Sequence, residues 1–117
     1  MTRRPDWAVR LAALLSAAET RAFDAHRWNC GRFALAAVEA VTGSRPQVRV
    51  LPDLVTTADS AGFPRVSPLR ARMGDIVLAP DPDRLGVVLD AGRVAFLAPR
   101  GLLRSPITRC THAWRIG

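Results

Sequence analysis

The spacing of the apolar residues changes once along this chain, at Gly74, and that change restricts the possible folds more than any single motif does. Before it the spacing is helical. Between Pro5 and Ala18 the large apolar residues are Trp7, Leu11, Leu14, Leu15 and Ala18, the i, i+4, i+7, i+8 pattern of one helix face. Pro5 suits a first helical turn, where its missing N–H costs nothing. After a break at Phe23 to Trp28, Asn29 stands before an Ala-rich run, Cys30 to Val41, and Gly43 follows it. Asn as N-cap and Gly just past the end frame a second helix, with Phe33 or Leu35, Ala37, Val38 and Val41 as its buried stripe. Ser44 to Pro46 reads as a linker, and Pro52 to Gly62 as a short third helix with Leu54, Val55 and Ala58 on one face. Beyond Gly74 come short apolar runs, Ile76 to Ala79, Leu85 to Leu89, Val94 to Ala98 and Ala113 to Ile116. They are separated by Pro80-Asp81-Pro82-Asp83, Asp90-Ala91-Gly92 and Pro99-Arg100-Gly101, which are turn sequences, so this half predicts an antiparallel meander. Helices first and strands afterward is an α+β order.

With 117 residues, 49% of them hydrophobic, the chain supplies one core, so residues 1–117 are expected to form a single domain. Its helical half covers about residues 5–62 and its strand half about residues 74–117. Seventeen basic residues against ten acidic ones give a formal charge of +7, and every basic residue is Arg. That surplus permits an anionic partner, but the absence of Lys points to a coding bias as its main source. Arg93, Arg100, Arg104 and Arg109 recur through the second half without a helix-turn-helix, a zinc finger or interleaved aromatics. A solvated face or a protein interface is therefore preferred to nucleic acid. No run approaches the roughly 20 apolar residues of a membrane-spanning helix, so no membrane insertion is expected. Asp6, Arg10, Glu19 and Arg21 make the first apolar segment an amphipathic helix rather than a secretory signal, so a cytosolic chain is expected.

Two cysteines, Cys30 and Cys110, are too few for a disulfide scaffold and lack the close pairing of a zinc site, so no metal or cofactor is implied. Asp75, Asp81, Asp83 and Asp90 are spread over strand starts and turns without the spacing of a calcium loop. Cys30 carries the strongest chemical signal. In the first turn of a helix a thiol faces unpaired N–H groups and the positive end of the dipole, and Arg27 and Arg32 add positive charge nearby. Cysteine nucleophiles are commonly activated in this way; the competing reading is a small buried hydrophobe. The chain's histidines are His26 and His112. Trp7, Trp28 and Trp114 read as core or rim aromatics, with Trp28 able to line a groove beside Cys30.

The run Phe23…Trp28-Asn29-Cys30-Gly31-Arg32-Phe33 heads a small-residue helix, and Ala71…Gly74-Asp75-Ile76-Val77-Leu78 opens the strand half. With Leu85-Gly86-Val87-Val88 and the closing Ala113-Trp114-Arg115-Ile116, this order resembles the NlpC-type branch of papain-like cysteine peptidases. More narrowly it is similar to a small phage and prophage family found among tail-assembly genes, from Trp7 to Ile116. The resemblance implies a papain-like (NlpC-type) fold with N-terminal helices packed on a small antiparallel sheet. It puts the nucleophile at Cys30, a structural Gly-Asp step at Gly74 and Asp75, and the general base at Arg84. Arginine is not deprotonated in a protein, so Arg84 is not competent as a base. The next strand, Val94 to Ala98, should carry an orienting polar group and is wholly apolar. His26 and His112 remain as substitute bases outside the family's geometry. The resemblance thus implies a catalytically degenerate domain, a structural or assembly component of the tip or baseplate of a phage-like tail, carried in the virion. Its partners would be other tail proteins, tail-tip or hub components. The alternative is an active cysteine hydrolase, a peptidoglycan endopeptidase or amidase, with Cys30 as nucleophile and cell-wall peptide as substrate.

Overall fold

A computed structural model describes residues 2–49 and 51–117 of the chain. Helix α1 is Trp7–Ala18, α2 is Cys30–Thr42 and α3 is Leu54–Ser60. Six strands follow: β1 Arg65–Val66, β2 Ile76–Ala79, β3 Arg84–Val88, β4 Arg93–Leu97, β5 Leu102–Pro106 and β6 His112–Trp114. Every strand pairing is antiparallel, so the described residues form a small α+β domain. None of its helices is long and apolar enough to cross a membrane.

Helix α2 is fixed locally at both ends. The Asn29 side-chain oxygen accepts the Arg32 N–H at 2.9 Å, and Gly43, at φ 82°, sends its N–H back to the Glu39 carbonyl. Its inner face is Phe33, Ala34, Ala37, Val38 and Val41, so Phe33 takes the place that the spacing left open with Leu35, which is half-buried. Small residues let α2 lie close over β3, and α1 packs beside it, burying Leu11 and Ala18. Helix α3 starts later than its apolar pattern implied. Asp53 caps it by accepting the Val55 N–H, and only Thr57 is fully enclosed.

The sheet order is β1-β6-β2-β3-β4-β5. The expected meander holds from β2 to β4, and two features correct it. Leu102–Pro106 forms an additional strand on the β4 edge, and the C-terminal run does not extend the meander but returns to pair with β2. Strand β6 thereby sits between β2 and the two-residue β1. Both faces of the sheet are covered. Ile76, Leu78, Leu85, Val87, Ala95 and Trp114 face the helices, and Val77, Ala79, Val88, Val94, Phe96 and Ala113 form a second cluster with Ile107 and Cys110. Double coverage explains why β2 and β3 read as continuous apolar runs instead of alternating ones. Gly86 is required for this packing, because a Cβ there would lie 2.6 Å from the Ala95 carbonyl and from the Phe96 ring.

Asp75, just ahead of β2, is fully buried and ties the chain ends to the sheet. It accepts from Arg3 at 3.0 Å, from the Arg72 N–H at 2.8 Å and from the Ile116 N–H at 2.9 Å. Asp75 thus has a structural role.

Candidate functional site

Cys30 is the first residue of α2 and is half-exposed. It borders a pocket of about 400 Å³ enclosed by α2, α3 and the helical face of the sheet. Ile76, Leu85, Trp114 and Ile116 form the floor, all of them buried. Ala34 and Val38 of α2 and Leu54 and Ala58 of α3 form the walls. The exposed side chains His26 and Arg32 stand with Cys30 at the mouth.

The loop before α2 brings His26 to this mouth. Asp24 accepts the backbone N–H groups of His26 and Arg27 at 2.9 and 3.0 Å, which closes a tight turn back to Trp28. Those two bonds hold the Asp24 carboxyl below the usual carboxylate range. Asn29, the amide nearest both groups in sequence, is occupied: its nitrogen donates to the Ala25 carbonyl at 2.9 Å while its oxygen caps α2.

Arg84 is on the other side of the sheet. It opens β3 opposite Ala79, and its guanidinium carbon lies 4.8 Å from the centre of the Phe96 ring, in the second cluster. Its Nε is buried without a hydrogen-bond partner. Cys110 belongs to the same cluster, and burial pushes its thiol up, with the charge of Arg84 opposing that shift. What β3 presents to the Cys30 pocket is Leu85. On β4 the residues packed on the helical side are Ala95 and Leu97, neither of which has a polar atom in its side chain.

His112 lies across from Leu78 on β6 and stacks on Trp114, with ring centres 6.1 Å apart. Trp114 lines the pocket and His112 does not. The imidazole Nδ1 is 2.9 Å from the Thr111 hydroxyl. Beside this pair is a network with no sequence signature. Trp114 Nε1 donates to Asp59 at 2.9 Å, and Arg65 grips the same carboxylate through two nitrogens at 2.9 and 2.6 Å. The Arg65 bonds, and then the Trp114 bond, lower the Asp59 carboxyl to about 2. Sequence separations of 55 and 6 residues link these groups, and only strand order reveals the longer one.

The structure thus brings Cys30 and His26 to one pocket, and leaves His112 outside it and Arg84 across the sheet. Trp28 does not line a groove beside Cys30. It is buried against Phe33 with Arg21 stacked over its ring at 4.0 Å, and Trp114 is the tryptophan that meets the pocket. Asp81, Asp83 and Asp90 lie exposed in turns, and among the described residues no three His, Cys, Asp or Glu side chains gather as a metal site. Of the four C-terminal arginines, Arg104 pairs with Glu19 and Arg100 donates to the Thr20 carbonyl at 3.2 Å, so both fasten β5 and its preceding turn to the end of α1. Arg93 and Arg109 are exposed.

Residues 2–116 match a family described as a domain of unknown function (DUF6950), and the chain belongs to that family. No curated protein matches the chain.

Proposed function

We propose that this member of the family is a catalytically silent binding module on a degenerate papain-like (NlpC-type) fold, serving as a structural or assembly component of a phage-like tail tip or baseplate. One observation carries the silent part of this reading: β3 offers Leu85, and not a base, to the pocket that holds Cys30. A cysteine nucleophile needs a base within hydrogen-bond reach and a third group to orient that base. Arg84 fails in chemistry and in direction, and the β4 residues packed on the helical side are the apolar Ala95 and Leu97. The papain-like part is supported by the position of Cys30 at the head of a helix that packs on an antiparallel sheet.

The tail part rests on the sequence resemblance, with the exposed arginines as compatible interface groups, since a planar multi-donor head on a long apolar stem suits protein contacts. The protein would be made in the cytoplasm and end in the virion. Co-expression with tail-tip and hub proteins tests it: the chain should co-purify with at least one of them and be present in assembled particles. Absence from both overturns the tail role.

His26 and Cys30 at one pocket mouth favour a second reading, a cysteine hydrolase acting on cell-wall peptide. It requires turnover of muropeptides by the wild-type chain that is lost in both Cys30→Ser and His26→Ala. No turnover by the wild-type chain removes it.

A further inference from the structure

The pocket has a chemical character that neither reading uses. Its floor and walls offer almost no free hydrogen-bonding group. Trp114 turns its N–H away to Asp59, and the Thr57 hydroxyl is bonded to the Leu51 and Asp53 backbone. A peptide laid along this floor would bury its own amides without partners, at a cost of about 1–3 kcal/mol for each group. An alkyl chain carries no such groups. The volume, about 400 Å³, falls in the range of small-molecule sites. The mouth has the opposite character: among the described residues no Asp or Glu lines the pocket, and the exposed Arg32 is in none of their ion pairs. It stands on the first turn of α2, where the helix dipole also favours negative charge.

We propose that the pocket between α2, α3 and the sheet binds a fatty-acid-like amphiphile, its alkyl chain against the half-buried Leu35, Leu54 and Phe63 and its carboxylate at Arg32. The proposal rests on the binding-module reading only in taking Cys30 to be part of the pocket's mouth rather than a nucleophile.

Calorimetric titration of the whole chain with decanoate, decan-1-ol and acetate tests it. Decanoate should bind with one-to-one stoichiometry, decanol about tenfold more weakly for want of the charge-assisted bond, and acetate without measurable heat. Arg32→Gln should bring decanoate down to the decanol value. Ala58→Trp, which fills the pocket from α3, should weaken both at least tenfold with far-UV circular dichroism unchanged; Leu35→Trp, from the α2 side, gives the same readout if Ala58→Trp does not fold. No decanoate binding, equal affinity for acid and alcohol, or indifference to the filling variant overturns the proposal. A chain that enters tail particles yet ignores decanoate overturns the pocket proposal alone, and one that binds decanoate but never enters particles overturns only the tail role.

Discussion

The guanidinium of Arg3 reaches Asp75 at 3.0 Å across 72 residues of chain, and the carboxylate it meets has no contact with solvent. The same side chain donates to the Ile116 carbonyl at 2.9 Å and to the Met73 carbonyl at 2.7 Å, and it lies 4.4 Å from the centre of the Trp7 ring. Removing Arg3 leaves a buried charge with its nearest cation, Arg115, at 3.8 Å. Arg3→Ala is expected to cost about 3–5 kcal/mol, the range for breaking a buried pair from one side. Asp75→Asn keeps one acceptor oxygen and turns an NH2 toward a donor, either the Arg72 N–H or the Arg3 and Ile116 pair, so it too should destabilise the fold. Urea unfolding of both variants against the wild type checks this.

Asp59 gives the fold a dependence on acid. Arg65 and Trp114 lower its carboxyl from 3.8 to about 2. Because the folded value lies below the unfolded one, this contribution is complete above the unfolded pKa and is lost as pH falls through the folded one. The stability difference between wild type and Asp59→Asn should therefore shrink between about pH 4 and pH 2 and be constant above it. Both partners are substantially exposed, so solvent screening keeps the amplitude small. Urea midpoints at half-unit pH steps read it.

Gly86→Ala should destabilise by about 1–3 kcal/mol, the usual cost of overpacking. The new methyl would meet backbone and an aromatic ring at 2.6 Å, and neither can move aside. Gly31→Ala, whose added carbon meets the Asn29 Oδ1 at an ordinary 3.4 Å, is the control.

The two thiols should separate cleanly with a chromogenic disulfide reagent. Cys30 is half-exposed, while Cys110 is buried and its thiol is pushed up by burial. One equivalent should react quickly in the native protein and vanish in Cys30→Ser. The second should appear only with unfolding. Fast labelling of both would contradict the burial of Cys110.

Arg84→His puts an imidazole at the position where the sequence resemblance implies a base, and it should create no hydrolase activity. The new imidazole would lie against Phe96, with the sheet between it and Cys30. Muropeptide turnover and the Cys30 labelling rate should match those of the wild type. Any gain in either would mean that residue 84 communicates with the pocket.

How far the sequence reveals this molecule varies by element. Helix α2 was legible because Asn29 and Gly43 settle its ends within a few residues of chain. Strand β5 was not, because Arg104 and Pro106 sit comfortably on an edge that has a single paired neighbour, where a period-2 pattern is not enforced. The facing of Arg84 needed a third dimension. Alternation puts Leu85 and Val87 on one side and Arg84 and Gly86 on the other, but apolar cover on both sides hides which one meets the helices. The partnership of Asp59 with Trp114 depends on β6 reaching β2, a long-range event with no local code.

That placement of β6 governs how the protein fails. A chain cleaved ahead of His112 loses the strand that separates β1 from β2, and the backbone groups of Ile76, Val77 and Leu78 are left facing outward along an apolar, uncharged edge. Such an edge is a template for strands from other molecules, with no lysine, proline or bulge to blunt it. Loss of those residues should therefore leave a self-associating edge, read as a rise in light scattering after cleavage.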